Sequence, residues 1–304
     1  MRPGAAKKAH LSRPMRGRAP LLDGMVVPTL IVLALIIGYP VVSTLMLSVQ
    51  QYDLINDAAP SYVGMRNFSD IASDQIFWTA VKNTLIYTFG TVFVAAFLGA
   101  AMALMLENLN GPFGNAARAI VVSPWAVPFV VVAFLFRFIY MQKGGVLNAV
   151  LMHLGIIEAP IPWLNDSDLA LPAIIVANIW TTTPFFFLLV ASSLSGIPDA
   201  VLESARVDRA GTWATLYHIK LPYMRNPLVI GSLLMIIANF NDFAKVWVMT
   251  QGGPGFSTTT LVVYVYRMAF ENFRLGYASA LGVIWLILLL VTAALYFRLL
   301  RGRD

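Results

Sequence analysis

Cysteine is absent from all 304 residues, which rules out a disulfide framework and a thiolate metal site. Histidine is nearly absent too. His10, His153 and His218 fall in three polar segments that the topology derived below keeps apart, so a histidine metal cluster is excluded. Charge is scarce: Asp, Glu, Lys and Arg make up 12% of the chain, where soluble domains carry roughly a quarter. No G-x-x-x-x-G-K-[ST] phosphate loop occurs, so ATP hydrolysis by this chain alone is not expected.

What fills the chain is apolar. Hydrophobic residues reach 59% and the mean hydropathy is +0.74. Long apolar runs lie near 25–49, 81–106, 119–141, 170–194, 227–249 and 280–299. A spanning helix needs about 20 mostly apolar residues, so these predict an all-α polytopic membrane protein with six transmembrane helices. Pro40, Pro128 and Pro184 interrupt the runs, which membrane helices tolerate better than soluble ones. The first run is too long for a signal-peptide core and no small-x-small site follows Val49, so it is expected to stay in the membrane.

The net charge of +6 is unevenly spread. Basic residues crowd the first twenty positions (Arg2, Lys7, Lys8, Arg13, Arg16, Arg18), the 195–226 loop (Arg206, Arg209, Lys220, Arg225) and the C-terminus (Arg298, Arg301, Arg303). The alternate loops hold most of the acids, among them Asp53, Asp57, Asp70, Asp74, Glu158, Asp166 and Asp168. Positive charge stays inside. Both termini and the 195–226 loop are therefore expected in the cytoplasm, in a multi-pass protein of the inner (plasma) membrane with lipid, not nucleic acid, as its surroundings. Residues 1–20 read as a basic disordered tail, and 21–304 as one transmembrane domain.

The 195–226 loop is soluble in character. Pro198 suits a first helical turn, Asp199 the positive dipole end, and Val201, Leu202 and Ala205 form an apolar stripe. Gly211 reads as a stop that needs an unusual backbone conformation, Thr212 as a cap, and Pro222 as the end of a second short helix. Two short helices would thus rest on lipid headgroups or dock into a groove on a soluble partner.

Within this loop, Glu203-Ser204-Ala205, Asp208, Gly211 and Ile219-Lys220-Leu221-Pro222 resemble the EAA motif of ABC importer permeases. Ser204 stands where the motif has its first Ala, and Arg209 where it has the Gly of D-G-A. Tyr62 to Phe68, Pro124-Trp125-Ala126-Val127-Pro128, Trp180 with Thr181 to Pro184, and Phe240-Asn241-Asp242-Phe243 followed by Gln251-Gly252-Gly253-Pro254 are similar to the carbohydrate branch, which includes the maltose and glycerol-3-phosphate permeases. The resemblance covers roughly residues 20–300. It implies a type I ABC importer permease fold and a chain that forms half of a sugar path beside a second permease subunit. Two ATP-binding subunits would hold ATP and Mg, and an extracytoplasmic sugar-binding protein would deliver cargo. Glu203, Ser204, Ala205, Asp208, Gly211, Leu221 and Pro222 would then couple to the ATPase.

Asn239, Asn241, Asp242 and Lys245 lie within seven residues of the otherwise apolar fifth run. Charge at such depth faces protein or a watery cavity. Read as a straight helix, the run puts Asn239, Asp242 and Val246 on one face and Asn241 with Lys245 on another. Asp242 and Lys245 either neutralise each other and pin helices, or line a sugar site with Asn239 and Asn241, where Phe240, Phe243 or Trp247 stacks on the ring; the resemblance favours the latter. An ion-coupled secondary transporter is the alternative, but away from their ends the spans hold only Arg137, Asp242 and Lys245 as charged groups. A membrane-embedded enzyme would need a nucleophile with a nearby base, or a metal cluster, and dispersed histidines with no cysteine make that reading weaker still.

The topology is directly testable. A cysteine replacing Ser61 is expected to react with an impermeant thiol reagent in intact cells, and one replacing Ser204 is not; the opposite labelling overturns the assigned sidedness.

Overall fold

A computed structural model describes residues 20–301, with side chains at 26–298. Apart from Pro20, the basic tail expected over 1–20 lies outside the described residues. The chain divides between Met46 and Leu47 into two compact units.

The first unit is an apolar helical run. Helix α1 (Pro20–Leu33) passes through a π turn at Ala34–Gly38 into α2 (Tyr39–Ser48), whose last residues belong to the second unit. The π turn ends two residues before Pro40. A proline ring collides with the carbonyl four residues back, and the wider π turn moves that carbonyl aside. The helix therefore continues through a residue that would otherwise break it.

The second unit opens with a short antiparallel pair, β1 (Gln50–Gln51) and β2 (Ser61–Tyr62), with Gln50 opposite Tyr62. A short helix, α3 (Arg66–Ser73), follows, tied back by Asn67 Nδ2, which donates to the Ser48 and Gln50 carbonyls at 2.9 and 2.8 Å. Asp74 then caps α4 (Gln75–Leu106), accepting from Ile76 N at 2.8 Å. The Tyr264 and Tyr277 hydroxyls also donate to Asp74, joining three elements at one carboxylate. Burial pushes the Asp74 carboxyl up, but the donated hydrogen bonds win and hold it below the usual range. A lowered carboxyl stabilises the fold above the usual Asp range and loses that contribution as pH falls through its own value. Burial, with the bond to Asp74, pushes the Tyr264 phenol up to about 12.

The third apolar run is not one helix. It consists of α5 (Gly111–Val122), a 3₁₀ turn at Ser123–Ala126 and α6 (Phe129–Ile139), and the chain bends by 100° at the break. Pro128 forces Val127 into extended geometry and supplies no N–H, so the helix has to restart. A further helix, α7 (Val146–His153), lies in the segment read from sequence as a loop. Helix α8 (Ala170–Ser195) carries Pro184 internally and packs along α4 in the largest helix contact of the unit.

Beyond it come α9 (Asp199–Val207), α10 (Thr212–Thr215), a π turn at Leu216–Lys220 and α11 (Leu221–Phe240), the last three forming one helical run over Thr212–Phe240. Pro222 does not end a second short helix, as expected from sequence. It again sits two residues after a π turn, the arrangement seen at Pro40, and the helix runs on. The fifth apolar run breaks at Asn241 to Phe243 before α12 (Ala244–Thr250). Helix α13 (Leu261–Tyr266), continued by a π turn at Arg267–Glu271, and α14 (Leu275–Arg301) complete the unit. Among the described residues, five helices are long and apolar enough to cross a membrane, and the bent α5–α6 pair makes a sixth span if counted as one.

The α4–α8 contact depends on Gly99. A Cβ there would lie 2.6 Å from the Phe186 Cβ and 2.7 Å from the Phe187 backbone nitrogen. Gly99→Val is expected to destabilise the protein by about 1–3 kcal/mol or more, as overpacked cores do. Gly90→Ala, whose new Cβ meets only Ile175 at 3.7 Å, is expected to be near neutral. Thermal melts of the two variants in detergent check the contrast.

Candidate functional site

The break between α11 and α12 would leave carbonyls without partners in an apolar surrounding, where each costs several kcal/mol. The sequence answers with asparagines. Asn239 Nδ2 donates to the Met235 carbonyl and Asn241 Nδ2 to the Ile237 carbonyl, both at 2.7 Å. The Asn241 bond serves the Ile237 carbonyl freed in the last turn, and the Ala238 and Asn239 carbonyls take the backbone N–H groups of Asn241 and Asp242, both at 3.2 Å. The straight-helix faces expected for residues 239–246 do not survive the break, yet Asp242 and Lys245 still meet.

Lys245 Nζ lies 2.5 Å from Asp242 Oδ2, and the Tyr87 hydroxyl of α4 donates to the same oxygen at 2.5 Å. Lys245 is 5% exposed and its ammonium also sits over the Phe129 ring, 4.5 Å from the centroid. The carboxylate thus stitches the broken helix to α4, and the ammonium stitches it to α6.

These groups border a cavity of about 390 Å3. Of the residues singled out from sequence, Asn239, Asn241, Asp242, Phe243 and Lys245 line it, and Phe240 and Trp247 do not. Phe243 stacks on Trp247 with ring centroids 5.3 Å apart, while Phe240 is fully buried in the bundle core and offers no face to the cavity. Sequence reasoning missed the opposite wall. Asn178 Nδ2 donates to Asn239 Oδ1 and to Thr91 Oγ1, and Thr181 and Thr182 follow it on the same helical face. Trp125, Phe129 and Phe185 close the apolar side, with Trp125 edge-on to Phe185 at 6.3 Å. The available signal was Asn178, a lone amide in an apolar run, with hydroxyls three and four residues on. Arg137 stands apart from this cavity and donates to the Val248 carbonyl at 3.2 Å.

The second set of sequence-singled residues gathers far along the chain's fold, at the 195–226 segment. Helix α9 exposes Glu203 and Ser204 and buries Ala205, while Val201 and Leu202 are half-buried. It ends at Asp208, and the left-handed residue that turns the chain is Arg209, with φ of 52°. Gly211 has ordinary extended backbone, φ of −67°, and open space where a Cβ would go. The conformational demand expected at Gly211 therefore falls on Arg209, two residues earlier. Leu221 and Pro222 begin α11 beside Lys220, which pairs with Glu107 at the end of α4. Trp213 and Tyr217 are stacked and exposed, 73% and 61%, on the same surface.

The profile of the family described as binding-protein-dependent transport system inner membrane component matches residues 95–303. The chain belongs to that family. It is a membrane subunit of an ABC importer that depends on a binding protein. The sulfoquinovosyl glycerol transport system permease protein SmoG of Agrobacterium fabrum is 34% identical over 280 residues, covering 92% of this chain and 90% of that protein. The trehalose/maltose transport system permease protein MalF of Thermococcus litoralis is 32% identical, covering 92% and 93%. Among solved structures, a bacterial alginate ABC transporter with its alginate-bound periplasmic protein matches with a TM-score of 0.80 at 23% identity, covering 91% and 92%. That likeness shows the type I importer permease fold. The ion-coupled carrier finds no support among these relatives.

The buried pair yields a stability test. Lys245→Met strands a buried carboxylate and is expected to cost about 3–5 kcal/mol, whereas Asp242→Asn with Lys245→Met should recover most of it. Melting temperatures of single and double variants in detergent decide; equal losses in both would show that the pair does not act as a unit.

Proposed function

We propose that this chain is a sugar permease subunit whose cavity at the broken helix forms its half of the translocation site. The observation that carries the reading is the lining itself. Amides and hydroxyls (Asn178, Thr181, Thr182, Asn239, Asn241) face aromatic walls (Trp125, Phe129, Phe185, Phe243), and hydroxyl-rich rings need both hydrogen-bonding edges and flat apolar faces. Asn241 is exposed and spends only its amide nitrogen on Ile237, which leaves its oxygen for a sugar hydroxyl. Asp242 and Lys245 hold the break in shape and border the same space. The named cargoes of the relatives, trehalose/maltose and sulfoquinovosyl glycerol, support the carbohydrate class.

The subunit itself is non-catalytic. Hydrolysis of Mg-bound ATP takes place in two separate ATP-binding subunits, which dock on the 195–226 surface through Glu203, Ser204, Ala205, Asp208, Gly211, Leu221 and Pro222. A second permease completes the path, an extracytoplasmic sugar-binding protein delivers the cargo, and both termini lie in the cytoplasm. Closure of the ATPases would move α9 and the base of α10–α11 as a rigid body.

Two variants separate the site from the coupling surface. Asn239→Ala with Asn241→Ala is expected to lower sugar uptake about tenfold or more, with the complex assembled and the binding protein's affinity unchanged, from two lost hydrogen bonds at roughly 0.5–1.5 kcal/mol each. Glu203→Lys is expected to abolish transport-coupled ATP hydrolysis while the permease still inserts. Wild-type uptake in the asparagine variant moves the site to the partner permease, and normal coupled hydrolysis in Glu203→Lys removes the docking role.

A further inference from the structure

Asp242 and Lys245 are the only ionisable side chains that line the cavity among the described residues, and they are paired with each other. Both charges are spent. The carboxylate oxygen that meets Lys245 also takes the Tyr87 hydroxyl, and the ammonium that meets Asp242 rests on the Phe129 ring. The remaining polar lining consists of neutral amides and hydroxyls. A cargo carrying a carboxylate or sulfonate would have to leave water for a wall on which this chain offers no free counter-charge, or break a buried pair to obtain one. Either route is costly in a site of low dielectric.

We infer that the Asp242–Lys245 pair sets the charge of the cargo this cavity admits, and that the cargo is an uncharged carbohydrate. The inference rests on the sugar reading of the same cavity and narrows it. Family membership does not supply it, because alginate, an acidic polysaccharide, and trehalose/maltose are both cargoes named among the relatives. Asp242 and Lys245 thereby act as specificity-determining residues through their balance, and the asparagines make the contacts.

The balance can be tipped in either direction. Asp242→Asn leaves a net positive cavity and Lys245→Met a net negative one, while Asp242→Lys with Lys245→Asp keeps it neutral. The assembled permease–ATPase complex in nanodiscs, without binding protein, would be titrated with maltose, trehalose and diacetylchitobiose, and with a dimeric uronate of similar size. Tryptophan fluorescence would report binding, since Trp125 borders the cavity. Wild type should bind at least one neutral sugar and prefer it to the uronate. Asp242→Asn should lower that preference about tenfold, Lys245→Met should raise it, and the swapped pair should preserve it. A merely structural pair would move both single variants in the same direction, and that result overturns the inference. Tighter binding of the uronate by wild type also overturns it, while leaving the sugar reading intact. Binding of neither sugar class, together with import of a non-carbohydrate by the complete transporter, overturns both.

Discussion

A helix that stops inside an apolar bundle must account for every backbone group it frees, and the salt bridge at Asp242 makes such a stop possible here. The carboxylate meets the Lys245 ammonium one helical turn on and the Tyr87 hydroxyl from α4. Packing against α6 and α8 then holds α12 beyond the break. The break in turn opens the space that α8 and the Pro124–Pro128 bend enclose from the other sides. Cavity, polar lining and aromatic wall all follow from one interruption.

The same logic separates three of the prolines. Pro40 and Pro222 each follow a π turn by two residues and leave their helices running, whereas Pro128 ends one and starts another. The difference lies in local slack. A π turn carries one extra residue per turn and relieves the ring's clash with the preceding carbonyl; a 3₁₀ turn with two prolines four positions apart leaves no helical hydrogen bond to relieve. At the 195–226 segment, the result is a single short helix, α9, followed by a long one.

Much of this was legible in the chain before its structure. Apolar runs and their charge asymmetry gave the helical membrane class, and polar residues stranded in the fifth run marked one wall of the cavity. The breaks were less legible. Periodicity extends a helix across Asn239–Lys245 because the side chains keep a plausible pattern, and only the asparagine amides turning back to the carbonyls reveal where the hydrogen bonds stop. Asn178 and Tyr87 were missed because their meaning comes from helices packed across sequence separations of 61 and 155 residues. Gly211 was over-read for the opposite reason. A glycine in a turn suggests left-handed backbone, but the chain makes that turn at Arg209.

Continuity of the helical run from Thr212 to Phe240 carries a mechanical implication. Its first turns stand on the surface with Trp213 and Tyr217, and its last turn holds Asn239 against Asn178. At 1.5 Å per residue, 29 residues make a rod of about 43 Å. Tilting such a rod by about 10° around one end sweeps the other through roughly 7 Å, more than the rise of a full helical turn. A modest rotation imposed at the surface would therefore be delivered to the cavity as a displacement larger than a hydrogen bond is long, with no chain of intermediate side-chain rearrangements required to transmit it.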